Sequence, residues 1–295
     1  MRVLVVGGSG FLGSALLRRA VAAGWDAAAT YRTRPQNLPS VAWYRADLRE
    51  AGRTEEVLAR VRPAVVINAA GGHADWSVTA DGAARLALAA ARAGCRLVHV
   101  SSDAVFSGAD VHYAEDALPD PVSPYGAAKA AGETAVRVAV PEAAVVRTSL
   151  ILGHGRSAHE QAVHALAAGT RTGVLFTDDT RCPVHVDDLA SALLEITRSD
   201  ASGVFHVAGP DAMNRHELGV LIARRDGLDP ARLPAGLRGD VDPPGGRDIR
   251  LTTTATTRSR LRTRLRGARE FLAADAYADA DVDAYACADA DVDAK

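Results

Sequence analysis

Tyr125 and Lys129 stand four residues apart in Ser123-Pro-Tyr-Gly-Ala-Ala-Lys129. The Ser-Pro opening and the alanine-rich body predict a helix over 124–139, so both side chains project from one face. A phenol beside an ammonium is a general acid. The cation favours the phenolate and draws the hydroxyl from its ordinary pKa of about 10 toward neutrality, so that its proton can pass to a carbonyl oxygen as hydride reaches carbon. Lys129 is the only lysine before the final residue, Lys295, in a chain that otherwise writes its cations as arginine. Arginine does not release its proton, whereas a lysine ammonium is compact and tunable; a lone lysine at this spacing therefore points to chemistry. A third hydroxyl, Ser102, closes the run Arg96-Leu-Val-His-Val-Ser-Ser and is expected to hydrogen-bond the same carbonyl, the alternative being a plain turn or helix cap.

A hydride source is suggested at the other end of the first strand. Arg2-Val-Leu-Val-Val runs into Gly7-Gly-Ser-Gly-Phe-Leu-Gly13 and then into the helical Ala15-Leu-Leu. Strand, glycine turn and helix form the context in which glycines let backbone approach a pyrophosphate and a helix N-terminus offers it free N–H donors. Gly7, Gly10, Phe11, Leu12 and Gly13 are thus candidate cofactor residues. The second strand ends at Tyr31 without an acidic residue for the ribose hydroxyls of NAD; Arg32 and Arg34 follow instead and suit a 2′-phosphate. NADPH is favoured, with NADH allowed, and the alternative for both arginines is simple solvation of a loop.

The elements that must position these groups alternate. Apolar runs at 2–6, 27–31, 41–44, 64–67, 96–100 and 144–148 are separated by helix-forming stretches at 13–23, 54–60, 80–93 and 124–139. Continuous rather than alternating apolar strands mark a sheet covered on both faces, and repeated β-α order predicts an α/β, doubly wound parallel sheet of Rossmann type. Residues 1–152 are expected to form the dinucleotide-binding domain. Residues 153–272 are expected to form a smaller C-terminal α/β substrate lobe, with some elements returning to the Rossmann sheet. Its helices are placed near 157–168, 187–198 and 214–225, a strand near 174–176, and a basic helix over 261–272. Residues 273–295 are an Ala/Asp low-complexity tail for which disorder is expected.

Composition excludes several classes. The net charge is -2, and seven aspartates of the tail account for the acidity, so the body carries a mild, scattered positive excess with no stripe for a phosphate backbone. No nucleic-acid partner is expected. No window approaches an apolar span of about 20 residues, so no membrane partner is expected and a cytoplasmic location is. Cys95, Cys182 and Cys287 are widely spaced and imply buried free thiols rather than disulfides or zinc. The histidines, His154, His159, His164, His185 and His206 among them, show no tight ligand spacing with carboxylates, so no metal is assigned. His185-Val-Asp-Asp188 reads as a strand end followed by an Asp N-cap, and Arg156 and Arg181 could meet a substrate diphosphate.

The order of motifs resembles the extended short-chain dehydrogenase/reductase superfamily and, within it, the dTDP-4-dehydrorhamnose reductase family of sugar-nucleotide 4-ketoreductases. The matching residues include Gly7-x-x-Gly10-x-x-Gly13, Ala46-Asp47-Leu48, Val66-Ile-Asn-Ala-Ala70, Val100-Ser-Ser-Asp-Ala-Val-Phe106, Tyr113-x-Glu-Asp-x-x-Pro119, Tyr125-Gly-x-x-Lys129-x-x-Gly-Glu133, Val146-Arg-Thr-Ser149 and Val186-Asp-Asp-Leu-Ala190. The resemblance covers about residues 1–272. It implies a catalytic triad of Ser102, Tyr125 and Lys129, with Lys129 also on the nicotinamide ribose. It further implies that Asp47 and Leu48 line the adenine, that Ala69, Ala70, Gly71 and Ser101 line the cofactor, and that the substrate is a nucleotide sugar. Read without it, Asp47 is a strand-end cap and Asn68 a buried satisfier of backbone.

The chain departs from the family pattern in the short stretch Gly71-Gly-His-Ala-Asp-Trp76, at Thr79 and at Leu150. Ala104 stands where a 4,6-dehydratase would carry Glu after the Asp, which disfavours elimination. The expected activity is NADPH-dependent reduction of the 4-keto group of a dTDP-linked 6-deoxyhexose, by an enzyme that could be a homodimer. The alternatives are a reductase of another small carbonyl compound in secondary metabolism and a non-catalytic NADP-binding regulatory subunit.

Overall fold

The computed structural model describes residues 1–71, 75–240, 245–253 and 261–273. His73, Cys287 and the acidic tail beyond residue 273 lie outside them. Seven parallel strands form the central sheet: β1 (Arg2–Val6), β2 (Asp26–Tyr31), β3 (Val41–Arg45), β4 (Val65–Asn68), β5 (Arg96–Ser102), β6 (Ala144–Thr148) and β7 (Gly203–His206). Their spatial order is β7-β6-β5-β4-β1-β2-β3. The order reverses between β1 and β4, and that crevice at the strand ends is where open sheets of this kind take their ligands.

Alternation along the strands sorts the core into two layers. Val3 and Val5 point to the face covered by α1 (Phe11–Ala22) and α7 (Val186–Arg198), where Leu16, Leu17, Leu189 and Leu193 are fully buried. Leu4, Val6, Val66 and Leu97 point to the opposite face, against α2 (Arg53–Val61), α4 (Asp81–Ala93) and α5 (Pro124–Ala139). Each such leucine is worth about 2 kcal/mol over an exposed one, so both layers of helices are held firmly on the sheet. The short helix α3 (Trp76–Thr79) precedes α4 and is started by the Asp75 side chain, which accepts the Val78 N–H.

Chain order and spatial order part after residue 150. Strand β7 pairs with β6, and α7 packs on α1, so both belong to the first sheet. The separate second lobe is built on α6 (Ala158–Ala168) and α8 (Arg215–Arg225), around Val163, Leu166, Met213, Leu218, Ile222 and Phe271. Both helices begin with capping boxes, Ser157 with Glu160 and Asn214 with Glu217. The basic helix anticipated over 261–272 is corrected: only Ala268–Phe271 is helical. Arg262 and Thr263 instead spend their donors on the Glu195 carboxylate, and Arg266 forks onto Asp188, which holds this segment extended across α7.

Candidate functional site

The glycine turn is fixed by contacts that no side chain could share. Gly7 has φ +79°, and a Cβ on it would lie 2.7 Å from the Ala70 Cα. On Gly13 a Cβ would lie 2.2 Å from the Gly7 carbonyl oxygen, so this glycine sets how closely α1 approaches the turn. The Thr30 hydroxyl accepts the Gly7 N–H at 3.0 Å and ties the turn to the end of β2. Gly10 is the N-cap of α1, with no side-chain cap and no acidic residue in the first turn. The first intrahelical donor is Ser14, bonded to the Gly10 carbonyl at 2.9 Å. The amides of Phe11, Leu12 and Gly13 are therefore left to an external acceptor. A cradle kept open by absent side chains, with orphan N–H groups and a positive helix end, fits a dinucleotide pyrophosphate.

Around it, the remaining cofactor candidates gather unevenly. Tyr31 meets Trp43 edge-on at 6.3 Å, while Arg32 and Arg34 are exposed and form no ion pair among the described residues. Asp47 accepts the Arg49 N–H and binds the Arg49 guanidinium at 2.7 Å, and that partner brings its pKa down to about 2. Leu48 is buried, and its carbonyl accepts from Arg85. Asn68 is 2% exposed; its side-chain oxygen accepts the Ala70 N–H, and its amide donates to His99 Nδ1 at 3.1 Å. Ala69 and Ala70 stand against the Gly7 turn, Gly71 is exposed beside them, and Ser101 is buried in β5.

Ser102, Tyr125 and Lys129 come together where β5 ends against the start of α5. Ser123 caps α5 by accepting the Gly126 N–H, and Pro124 fills the first turn. A Cβ on Gly126 would lie 2.0 Å from the Ala104 carbonyl oxygen, so the glycine after Tyr125 is what lets α5 reach the strand end. Farther along α5, Glu133 grips Arg147 of β6 in a bidentate pair at 2.8 and 3.0 Å; both are buried, and Arg147 lies over the Phe106 ring. That pair anchors the helix to the sheet behind the site.

The electrostatics of the trio differ from the simple expectation. Lys129 is 5% exposed and donates to the Val100 carbonyl at 3.1 Å; burial brings its pKa down to about 8. The Tyr125 phenol is not drawn toward neutrality. Burial pushes it up to about 12, hydrogen bonding toward Ser102 opposes this, and the Asp103 carboxylate adds to it. Ser102 is also a cap: its oxygen accepts the Ala104 N–H at 3.2 Å while its hydroxyl donates to Asp103 at 3.1 Å.

Three further expectations are revised. His154, His185 and Asp187 do cluster, with ligand-type atoms within 4.8 Å of one another. Their donors are already engaged: His185 rather than an aspartate caps α7 by accepting the Asp187 N–H, and Asp187 pairs with His154 at 3.0 Å and Arg19 at 3.5 Å. Arg181 does not face solvent for a diphosphate; it is buried between Asp179, Asp103 and the Gly246 carbonyl. The basic groups that do line a second-lobe cavity of about 250 Å³ are Arg171, Arg215 and Arg238, beside His159, Phe176 and Asp179. No local spacing marks this lining in the sequence, because it comes from four separated segments. Cys95 and Cys182 are buried free thiols, as expected.

Comparison with known proteins agrees with this geometry. The profile of the RmlD substrate binding domain family matches residues 1–241. A dTDP-4-dehydrorhamnose reductase of Mycobacterium tuberculosis is 35% identical over 253 residues, 79% of this chain and 78% of that protein. Methionine adenosyltransferase 2 subunit beta of Bos taurus is 27% identical over 243 residues, 75% of this chain and 71% of that one. Among solved structures, dTDP-4-dehydrorhamnose reductase from Bacillus anthracis in complex with NADP superposes with a TM-score of 0.77 at 20% identity, covering 92% of this chain and 96% of that one. Glycine turn, seven-stranded sheet and family profile coincide: the chain belongs to the RmlD family of the extended short-chain dehydrogenase/reductases and is an NAD(P)-dependent oxidoreductase.

Proposed function

We propose that the protein reduces the 4-keto group of a dTDP-linked 6-deoxyhexose, with NADPH as the favoured cofactor and NADH allowed. The observation that carries this reading is the meeting of Ser102 and Tyr125 at the β5 end, with Lys129 buried four residues along the same helix and bonded to the Val100 carbonyl of β5. The Phe11, Leu12 and Gly13 amides take the pyrophosphate, Arg32 and Arg34 the 2′-phosphate, and Asp47 and Leu48 the adenosine. Bound nicotinamide supplies the hydride. Tyr125 supplies the proton to the ketone oxygen, and the raised pKa of its phenol keeps it in the donating form throughout the working range. Lys129, buried four residues along the same helix, holds its charge up to about pH 8 and would bind the nicotinamide ribose. Arg215 and Arg238 at the second-lobe cavity suit the nucleotide's diphosphate.

The test is direct: purified protein, NADPH and a dTDP-4-keto-6-deoxy sugar, followed by loss of the reduced-nicotinamide absorbance. Turnover is expected, and Tyr125→Phe should lower it by roughly a hundredfold or more while NADPH still binds. Tight NADPH binding with no oxidation against nucleotide-linked or free ketones would replace this reading with that of a non-catalytic NADP-binding subunit.

A further inference from the structure

Asp103 follows Ser102 directly, and its side chain is 6% exposed. A buried carboxylate is costly unless its oxygens are satisfied, and here they are. One oxygen accepts the Ser102 hydroxyl at 3.1 Å, the other accepts the Ser149 hydroxyl at 2.6 Å and faces the Arg181 guanidinium at 3.6 Å. Ser149 is itself held by the Cys182 N–H at 3.3 Å. The pairing continues outward, from Arg181 to Asp179 at 2.8 Å and from Asp179 to Arg215 at 3.3 Å, and Arg215 lines the second-lobe cavity. Charges alternate along the whole path, so each member fixes the next.

This arrangement settles where the single proton of Ser102 points. Its oxygen receives the Ala104 amide, and its hydrogen is committed to Asp103, which leaves a lone pair for the Tyr125 side. We propose that Asp103 is a positioning residue for the ketone reduction: by holding the Ser102 hydroxyl it fixes the Ser102 oxygen against which the Tyr125 phenol rests, and so sets where the phenol stands when its proton passes to the ketone. The proposal rests on the ketoreductase reading above. Asp103 gains its own fixity from Ser149 and from the Arg181–Asp179–Arg215 path, which makes it the joint between the strand end and the substrate lobe.

A double-substitution cycle on the full chain tests this. With NADPH and a dTDP-4-keto-6-deoxy sugar, Asp103→Asn is expected to lower kcat about tenfold to a hundredfold, with KM and the NADPH Kd little changed. In a Ser102→Ala background the same substitution should change kcat by less than about twofold, because the group it acts through is gone. A second readout needs no substrate. The phenolate absorbance titration of Tyr125, taken as the difference between the protein and its Tyr125→Phe variant, should move to lower pH in Asp103→Asn, since an opposing charge is removed. Asp103 at the strand end is the charged group that acts on the phenol, with Arg181 beside Asp103 and Lys129 four residues along the same helix. Should Asp103→Asn fail to fold, Ser149→Ala, which strips one donor from the carboxylate, must show the same non-additivity at smaller size. Losses that add fully in the double variant, or an unmoved titration, overturn the proposal. Absence of turnover by the unsubstituted protein together with a shifted titration would instead sink the ketoreductase reading while leaving the grip of Asp103 on the pair intact.

Discussion

The proposed cofactor end and the proposed substrate end of this molecule are built from different materials. At the first, three glycines and the start of α1 present backbone, with amides as donors and missing side chains as the shape. At the second, half-buried Arg215 and buried Asp179, Arg181 and Asp103 form a chain of side-chain charges drawn from three separate segments. A backbone site recognises what every dinucleotide shares. A charged side-chain site can be altered one residue at a time, and so can follow the substrate.

Substitutions should expose that difference, the largest effect first. Glu133→Gln leaves Arg147 buried beside a neutral partner, behind both ends, and should cost about 3–5 kcal/mol in chemical denaturation. If the loss is under about 1 kcal/mol, α5 is held by packing alone. Next, Gly13→Ala drives a Cβ into the Gly7 carbonyl and should cost about 1–3 kcal/mol and abolish NADPH binding. Gly10→Ala, whose Cβ would lie 3.3 Å from that oxygen at φ -76°, should change stability by less than about 1 kcal/mol yet weaken NADPH in a titration. Equal melting temperatures for the two variants would mean that the turn is not set by helix contact. Arg32→Ala should raise the NADPH Kd about tenfold and leave the NADH Kd unmoved; a parallel change in both would remove the phosphate preference. Smallest is the pH effect. Lys129 loses its proton above about 8 whereas Tyr125 keeps its proton to about 12, so kcat/KM should decline as pH rises past about 8. A decline only near 12 would assign the limb to the phenol.

The same contrast explains what could be read from residues alone. The glycine turn, the strand run and the Tyr125–Lys129 helix were legible because local spacing and period encode them; the predicted helix over 124–139 coincides with the observed one. The Arg181 environment was not, since the residues that close over it beside its near neighbour Asp179 stand far away in sequence, at 103 and 246. Nor was the His154–His185–Asp187 cluster, which exists because Leu152 and His185 pair across two short strands. The depressed phenol was expected from a neighbouring cation, yet the spacing says nothing about desolvation, which here raises the phenol. Positions 261–267 had a helical composition but are held extended by carboxylates of α7, a tertiary override of propensity.

Gly126 sets a last consequence. Because its α-hydrogen rests where any side chain would strike the Ala104 carbonyl, the helix carrying Tyr125 is pressed against the strand end as against a mechanical stop. Tyr125, the proposed proton donor, is thereby indexed to the sheet and not to whatever residues 153–240 hold. Grafting a different set of residues into 153–240 should leave Tyr125 in register, which makes this chain a suitable chassis for exchanging that region.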